Sequence, residues 1–263
     1  PIINRFIYRP DATAAPAGFT PAHLSLAFEE ISIRTEDGLT LAGWYLPASN
    51  PKRSLLYLHG NGGDRRDWVN VAPRFVAEGC NFFILDYRGY GKSEGRPTEK
   101  GLYLDGEAGW EWLKTRAEKE GIPASILGKS IGSGVATHLA TQSPPASLIL
   151  DSAFTSMREV INFNAQWLPK ALVPRMYESL DSISKITCPT LVIHGDEDDL
   201  VPLAQALNLY QKLQAPKVLG IIKGAGHNNI DTFNRYYHWV IDFLNDPSGF
   251  IAEMTAKSEL RLS

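Results

Sequence analysis

Gly128-Lys129-Ser130-Ile131-Gly132 follows a short apolar run, Ser125-Ile126-Leu127, and opens a helix-like segment from Val135 to Thr141. A serine held on a sharp strand-to-helix turn has a strained backbone. Small residues are then needed two positions to either side, where a larger side chain would strike the neighbouring strand or helix. In that setting Ser130 is pushed out above the sheet edge, and the backbone N–H of Ile131 points at the same spot. Taken alone, the pentapeptide fits a glycine-rich turn before a helix equally well.

Two further segments give it a context of order and spacing. The apolar run Thr190-Leu191-Val192-Ile193 leads into His194-Gly195-Asp196-Glu197-Asp198-Asp199-Leu200-Val201-Pro202. A second run, Val218-Leu219-Gly220-Ile221-Ile222, leads into Gly224-Ala225-Gly226-His227-Asn228. A serine, an acid and a histidine thus follow the ends of successive strand-like segments, at the edge where open parallel sheets hold their ligands.

With His59-Gly60-Asn61-Gly62-Gly63 and Asp86-Tyr87-Arg88-Gly89-Tyr90-Gly91-Lys92-Ser93 upstream, five motifs stand in order between about Phe28 and Leu244. In this the chain resembles the α/β-hydrolase superfamily, and within it the Bem46 and ABHD17-type serine hydrolases. The resemblance implies an α/β-hydrolase fold: a mostly parallel central sheet, helices on both faces and a short lid insertion. It also implies carboxylesterase or acyl-protein thioesterase activity. One departure is Lys129, where the branch usually carries arginine or another residue, and it bears on substrate-side chemistry.

The roles follow from the chemistry. A serine hydroxyl is nearly inert at neutral pH unless a base takes its proton as it attacks. Ser130 is the expected nucleophile and His227 the expected base, since an imidazole can accept that proton and pass it to the leaving group. His59 and His194, each in an H-G at a strand end, are expected to shape loops; His23, His138 and His238 lie outside any motif. Asp196, Glu197, Asp198 and Asp199 compete as the acid that orients the imidazole. The H-G-x-x-D-x-x-V-P pattern of the branch selects Asp198 and leaves the others as a solvated loop face. The oxyanion hole needs two fixed donors, expected to be the backbone N–H groups of Ile131 and Asn61, with glycines at 60, 62 and 63 allowing close approach.

Two nucleotide-site lookalikes fail. The run from Gly60 has Arg65 where a dinucleotide fingerprint needs its third glycine, and Gly91-Lys92-Ser93 lacks the first glycine of a phosphate loop. The Asp86–Ser93 stretch is expected to be a structural loop whose Asp, Arg and Ser brace one another. No metal or organic cofactor is called for. Relatives that open epoxides or remove halides carry Asp where Ser130 stands. The rivals to an esterase or thioesterase are a peptidase on the same triad and a non-catalytic scaffold.

The 263 residues, 44% hydrophobic and 21% charged, suit one soluble α/β domain. A net charge of −3 and the lack of a Lys/Arg run argue against nucleic-acid partners. The expected partner is a small-molecule or acylated-protein ester. Cys80 and Cys188 have neither metal nor redox spacing and are expected as buried free thiols. Residues 1–27, with the apolar Ile2-Ile3 and Phe6-Ile7-Tyr8, form an N-terminal arm or linker before a domain spanning 28–263. Because the chain begins at Pro1, one expectation is a trimmed or processed product whose upstream segment contacted a membrane; the other is an arm packed on the body.

Alternation marks a hairpin, Phe28–Thr35 and Leu39–Leu46, about a D-G turn. Strand-helix pairs follow: Leu55–Leu58 with a helix near Asp67–Glu78, Phe82–Leu85 with Gly101–Lys119, Ser125–Leu127 with Ile131–Gln142, then Leu148–Leu150. A last helix is expected from about Asn229 to Phe243. Such alternation makes a parallel sheet. Residues 154–185 interrupt it as a small lid of short helices, leaving a fairly open site with a shallow groove walled by Phe154, Phe163 or Trp167.

Overall fold

The computed structural model describes residues 7–259, so Ile2, Ile3 and Phe6 of the expected apolar start lie outside the described residues. Eight strands form one mostly parallel sheet in the order β1-β2-β4-β3-β5-β6-β7-β8. The chain separates into two compact units, Pro1–Leu127 and Gly128–Ser263.

In the first unit, β1 (Glu29–Arg34) and β2 (Thr40–Leu46) make the expected antiparallel hairpin, with Glu29 opposite Tyr45 and Arg34 opposite Thr40. Gly38 closes the turn at φ 87°, a conformation that side chains resist, and Thr35 Oγ1 bonds Asp37 Oδ1 at 2.7 Å. Strands β3 (Arg53–Leu58) and β4 (Cys80–Leu85) pair in parallel and are buried at every position, hence their continuous apolar runs.

The helix expected near Asp67–Glu78 is instead two pieces, α1 (Arg65–Trp68) and α2 (Ala72–Ala77), joined by a 3-10 turn over Val69–Val71. Pro73 has no N–H to continue the ladder but suits the first turn of a new helix. The start moves earlier because Asp64 caps it, Oδ1 accepting the Arg66 N–H at 2.9 Å. Helix α3 (Glu99–Glu120) then leads to β5 (Ala124–Lys129).

The second unit continues with α4 (Ile131–Gln142), β6 (Leu148–Asp151), β7 (Thr190–Gly195), α7 (Leu203–Lys212), β8 (Lys217–Ile222), α8 (Asn234–Asn245) and α9 (Pro247–Glu259). The insertion between β6 and β7 holds α5 (Met157–Asn164), a 3-10 turn over Lys170–Leu172 and α6 (Ser179–Ser182). Helix α8 buries Tyr236, Tyr237, Val240, Phe243 and Leu244, a stripe at helical spacing.

It starts later than expected because Asn229 and Thr232 spend their polar groups on a local turn, with Asn229 Oδ1 accepting from Gly226 N and Thr232 Oγ1 donating to Asn229 O, both at 2.7 Å. Helix α9 was not foreseen, although Asp246-Pro247 is a usable start signal: the Asp246 carboxylate accepts the Gly249 N–H at 2.9 Å. Cys80 and Cys188 are buried free thiols, and burial pushes them up to about 12 and about 11. No helix among the described residues is long and apolar enough to cross a membrane.

The end of β7 meets the loop after β8 at Gly195, where a Cβ would lie 2.1 Å from the Ala225 carbonyl oxygen. That obstacle is backbone, so it cannot swing aside. Gly195→Ala is expected to lower the unfolding free energy by about 2 kcal/mol or more, read from denaturant midpoints. An unchanged midpoint would mean the two loops are free to separate.

Candidate active site

Ser130 follows β5 at φ 53°, ψ −119°, a conformation that residues with a side chain rarely adopt. Its N–H donates to Asp151 O at 2.9 Å, and its carbonyl accepts from Ser133 N at 2.8 Å as α4 begins. A Cβ on Gly128 would sit 2.4 Å from Gly132 O and 2.7 Å from Ala136 Cβ. Glycine at 128 therefore lets α4 start this close to the strand. The side chain of Ser130 is left half-buried.

His227, on the loop after β8, places Nε2 3.0 Å from Ser130 Oγ, and its Nδ1 lies 2.8 Å from Asp198 Oδ2. A carboxylate only accepts, so the network assigns the proton to Nδ1 and leaves the Nε2 lone pair facing the hydroxyl. Asp198 Oδ1 accepts the N–H groups of Leu200 at 3.0 Å and Val201 at 2.7 Å. Of the four competing acids, Asp198 is buried and Asp196, Glu197 and Asp199 are exposed. Asp196 is more than a solvated face, since its carboxylate accepts the Gly224 N–H at 2.6 Å and ties the acid loop to the histidine loop.

His194 also reaches the acid. Its Nε2 donates to Val201 O at 2.8 Å and lies 3.3 Å from Asp198 Oδ2, so the carboxylate sits between two imidazoles. Burial works against charge on Asp198. Hydrogen bonds from His194 and His227, with the Val201 N–H, outweigh it and hold the carboxyl well below its usual range.

Lys129, the departure from the branch pattern, points into the protein. Its ammonium is buried, 3.0 Å from Asp151 Oδ1 and 3.0 Å from Ser152 Oγ. The signal was present in the sequence: Asp151-Ser152, a polar pair capping an apolar strand, follows the neighbour of the strand that ends in Lys129. Phe154 is 1% exposed and cannot wall an open groove, whereas Phe163 and Trp167 are 45% and 83% exposed.

Asn61 lies in the first unit, where its carbonyl accepts from Arg9 N at 3.1 Å and Tyr90 Oη at 3.0 Å and its side chain donates to Ile7 O at 3.0 Å. Tyr90 is therefore buried against this loop rather than on a rim. Burial holds His59 down to about 4, and its Nδ1 meets Gly60 O at 2.7 Å, so it shapes the loop as a neutral ring. In the Asp86–Ser93 loop, Ser93 Oγ does bond Asp86 O at 2.7 Å. Arg88, however, pairs with Asp105 and Asp37 instead, and Asp86 is paired by Arg65 at 2.6 Å. Among the described residues, no three His, Cys, Asp or Glu are grouped to hold a metal ion.

The lowered Asp198 carboxyl has a measurable consequence. Stability from a depressed carboxyl is present above the unfolded-chain value, about 3.9, and is lost as pH falls toward the folded value. The difference in unfolding free energy between the native chain and Asp198→Asn should therefore shrink as pH drops below about 4. A difference that stays constant down to the acid limit would show that the carboxyl is not held low.

Residues 49–181 match the Hydrolase_4 family model, described as serine aminopeptidase, S33. An uncharacterized protein of Mycobacterium tuberculosis is 36% identical over 231 residues, covering 86% of this chain and 80% of its own. Human alpha/beta hydrolase domain-containing protein 17B is 35% identical over 224 residues, covering 83% of this chain and 76% of its own. In fold the chain is similar to the Pyrococcus furiosus esterase Pf2001, with a TM-score of 0.77 at 23% identity over 90% of this chain and 98% of that one. On these similarities the chain belongs to the α/β-hydrolases of the ABHD17 type and is a hydrolase.

Proposed function

We propose that this hydrolase cleaves carboxylic esters or thioesters through an acyl-enzyme on Ser130. The observation that carries the proposal is the unbroken relay from Ser130 Oγ to His227 Nε2 at 3.0 Å and from His227 Nδ1 to Asp198 Oδ2 at 2.8 Å. In this reading Oγ attacks the substrate carbonyl as Nε2 takes its proton. The imidazolium then gives that proton to the departing alcohol or thiol. Water repeats the sequence on the acyl-enzyme, with His227 as base again, and releases the acid.

Asp198 keeps the proton on Nδ1 and offsets the imidazolium charge while it lasts. The negative charge on the tetrahedral oxygen is assigned, on the second unit, to the N–H of Ile131. Ile131 is the first residue of α4, where a backbone N–H has no acceptor within its helix and the helix dipole favours an anion.

Ser130→Ala should abolish ester turnover and fluorophosphonate labelling while the protein stays folded. Asp198→Asn should lower kcat by up to about 10⁴, the scale seen when a triad acid is replaced, and Asp199→Asn should cost far less. A label on another residue, or full activity in Ser130→Ala, would sink the mechanism.

For the acyl group, the insertion contributes one helix of 8 residues and one of 4, too little for a deep lid. Each buried methylene is worth about 0.8 kcal/mol, so kcat/KM for p-nitrophenyl esters should climb over the first few carbons and then level off. Hexanoate is then cleaved better than palmitate. A steady rise to sixteen carbons, measured below aggregation limits, would instead favour a long-chain lipid substrate.

A further inference from the structure

We infer that the buried Lys129–Asp151 pair, joined by Tyr236, is a positioning unit that fixes the nucleophile turn against the segment carrying the histidine. The inference rests on Ser130 and His227 acting as proposed above. It concerns what holds them 3.0 Å apart.

Asp151, the last residue of β6, binds the turn twice: its main-chain oxygen accepts the Ser130 N–H at 2.9 Å, and its Oδ1 accepts from Lys129 Nζ at 3.0 Å. Two consecutive residues of the turn are thus tied to one acid. The other carboxylate oxygen, Oδ2, accepts from Tyr236 Oη at 3.0 Å. Tyr236 lies on α8, the helix that follows the His227 loop. Ser152 completes the cluster: its Oγ donates to Asp151 Oδ1 at 2.9 Å and receives Lys129 Nζ at 3.0 Å.

Ser152 also stands at φ 49°, and its N–H donates to Ile193 O at 3.0 Å, inside the strand that ends at the acid loop. The cluster therefore touches the turn that bears Ser130, the helix that follows the His227 loop and the strand that precedes the Asp198 loop.

Stability alone is a poor reason for this arrangement. The side chains of Lys129 and Asp151 are 5% and 1% exposed, and at such depth the cost of removing both charges from water roughly cancels their attraction. Apolar side chains of similar volume would fill the space as well. What they would lack is direction, since three donors converge on one carboxylate at fixed angles. Direction matters here because a shift of about 1 Å between reacting groups can cost about a hundredfold in rate.

The test compares Tyr236→Phe, which removes one hydroxyl, with Lys129→Met and Lys129→Arg. Each is assayed for kcat and KM with p-nitrophenyl butyrate, for the second-order rate of fluorophosphonate labelling, for the labelled peptide, and for thermal midpoint. Tyr236→Phe is expected to keep KM and the label on Ser130 while kcat and labelling rate fall about tenfold. Lys129→Met falls further and Lys129→Arg recovers most of the loss. If Lys129→Met does not fold, Tyr236→Phe decides alone.

Folded Tyr236→Phe that labels and turns over at the native rate overturns the inference, as does a rise in KM with kcat unchanged. A native protein that carries the label elsewhere than Ser130 fails the proposed mechanism itself, and this inference with it.

Discussion

The arrangement of the second unit depends on holding Ser130 at φ 53°, ψ −119°. Backbone strain of this kind costs on the order of 1–3 kcal/mol and persists only where the surroundings over-determine it. Here the surroundings are specific. Gly128 removes the side chain that would meet the first turn of α4, Asp151 takes the Ser130 N–H, and Ser133 takes its carbonyl. The same strain leaves the hydroxyl partly open and facing an imidazole, so the local cost and the proposed reactivity have one origin.

Two buried carboxylates divide the electrostatic work. Asp198 lies between the rings of His194 and His227 and accepts two backbone N–H groups, which keep it ionised despite its burial. Asp151 lies behind the turn with a lysine, a serine hydroxyl and a tyrosine hydroxyl upon it. Neither carboxylate is left with an unanswered charge, and that is what permits both in an apolar interior. Asp196 adds a third link, outside the core, by bonding Gly224 across the two loops.

Most of the sheet was legible because its strands are short apolar runs bounded by glycine, proline or polar residues, and α4 was legible from the pentapeptide that opens it. Helix boundaries were less so where a side chain competes with the backbone, as at Asn229 and Thr232, or where Pro73 divides one apolar stretch into two helices. Motif order singles out the serine, the acid and the histidine that the structure brings within hydrogen-bond distance of one another. The surroundings of the site could not be read this way: the linear motif shows Lys129 as a departure from the branch, and only the packing of β5 beside β6 gives it Asp151 as a buried partner. His194 was assigned to its loop, yet its contact with Asp198 depends on the chain folding back at Val201. Contacts of this kind come from tertiary placement, and a linear motif does not carry them.

The central claim is that an acyl group passes through Ser130. The most direct measurement is rapid acid quenching during turnover of a p-nitrophenyl ester, followed by mass analysis of the intact protein and of the peptide spanning Ser130. The account predicts one acyl mass added to the protein, located on Ser130, and appearing with the first equivalent of released nitrophenol. Turnover without any trapped acyl-protein across the burst, or an acyl group on a different side chain, would contradict it.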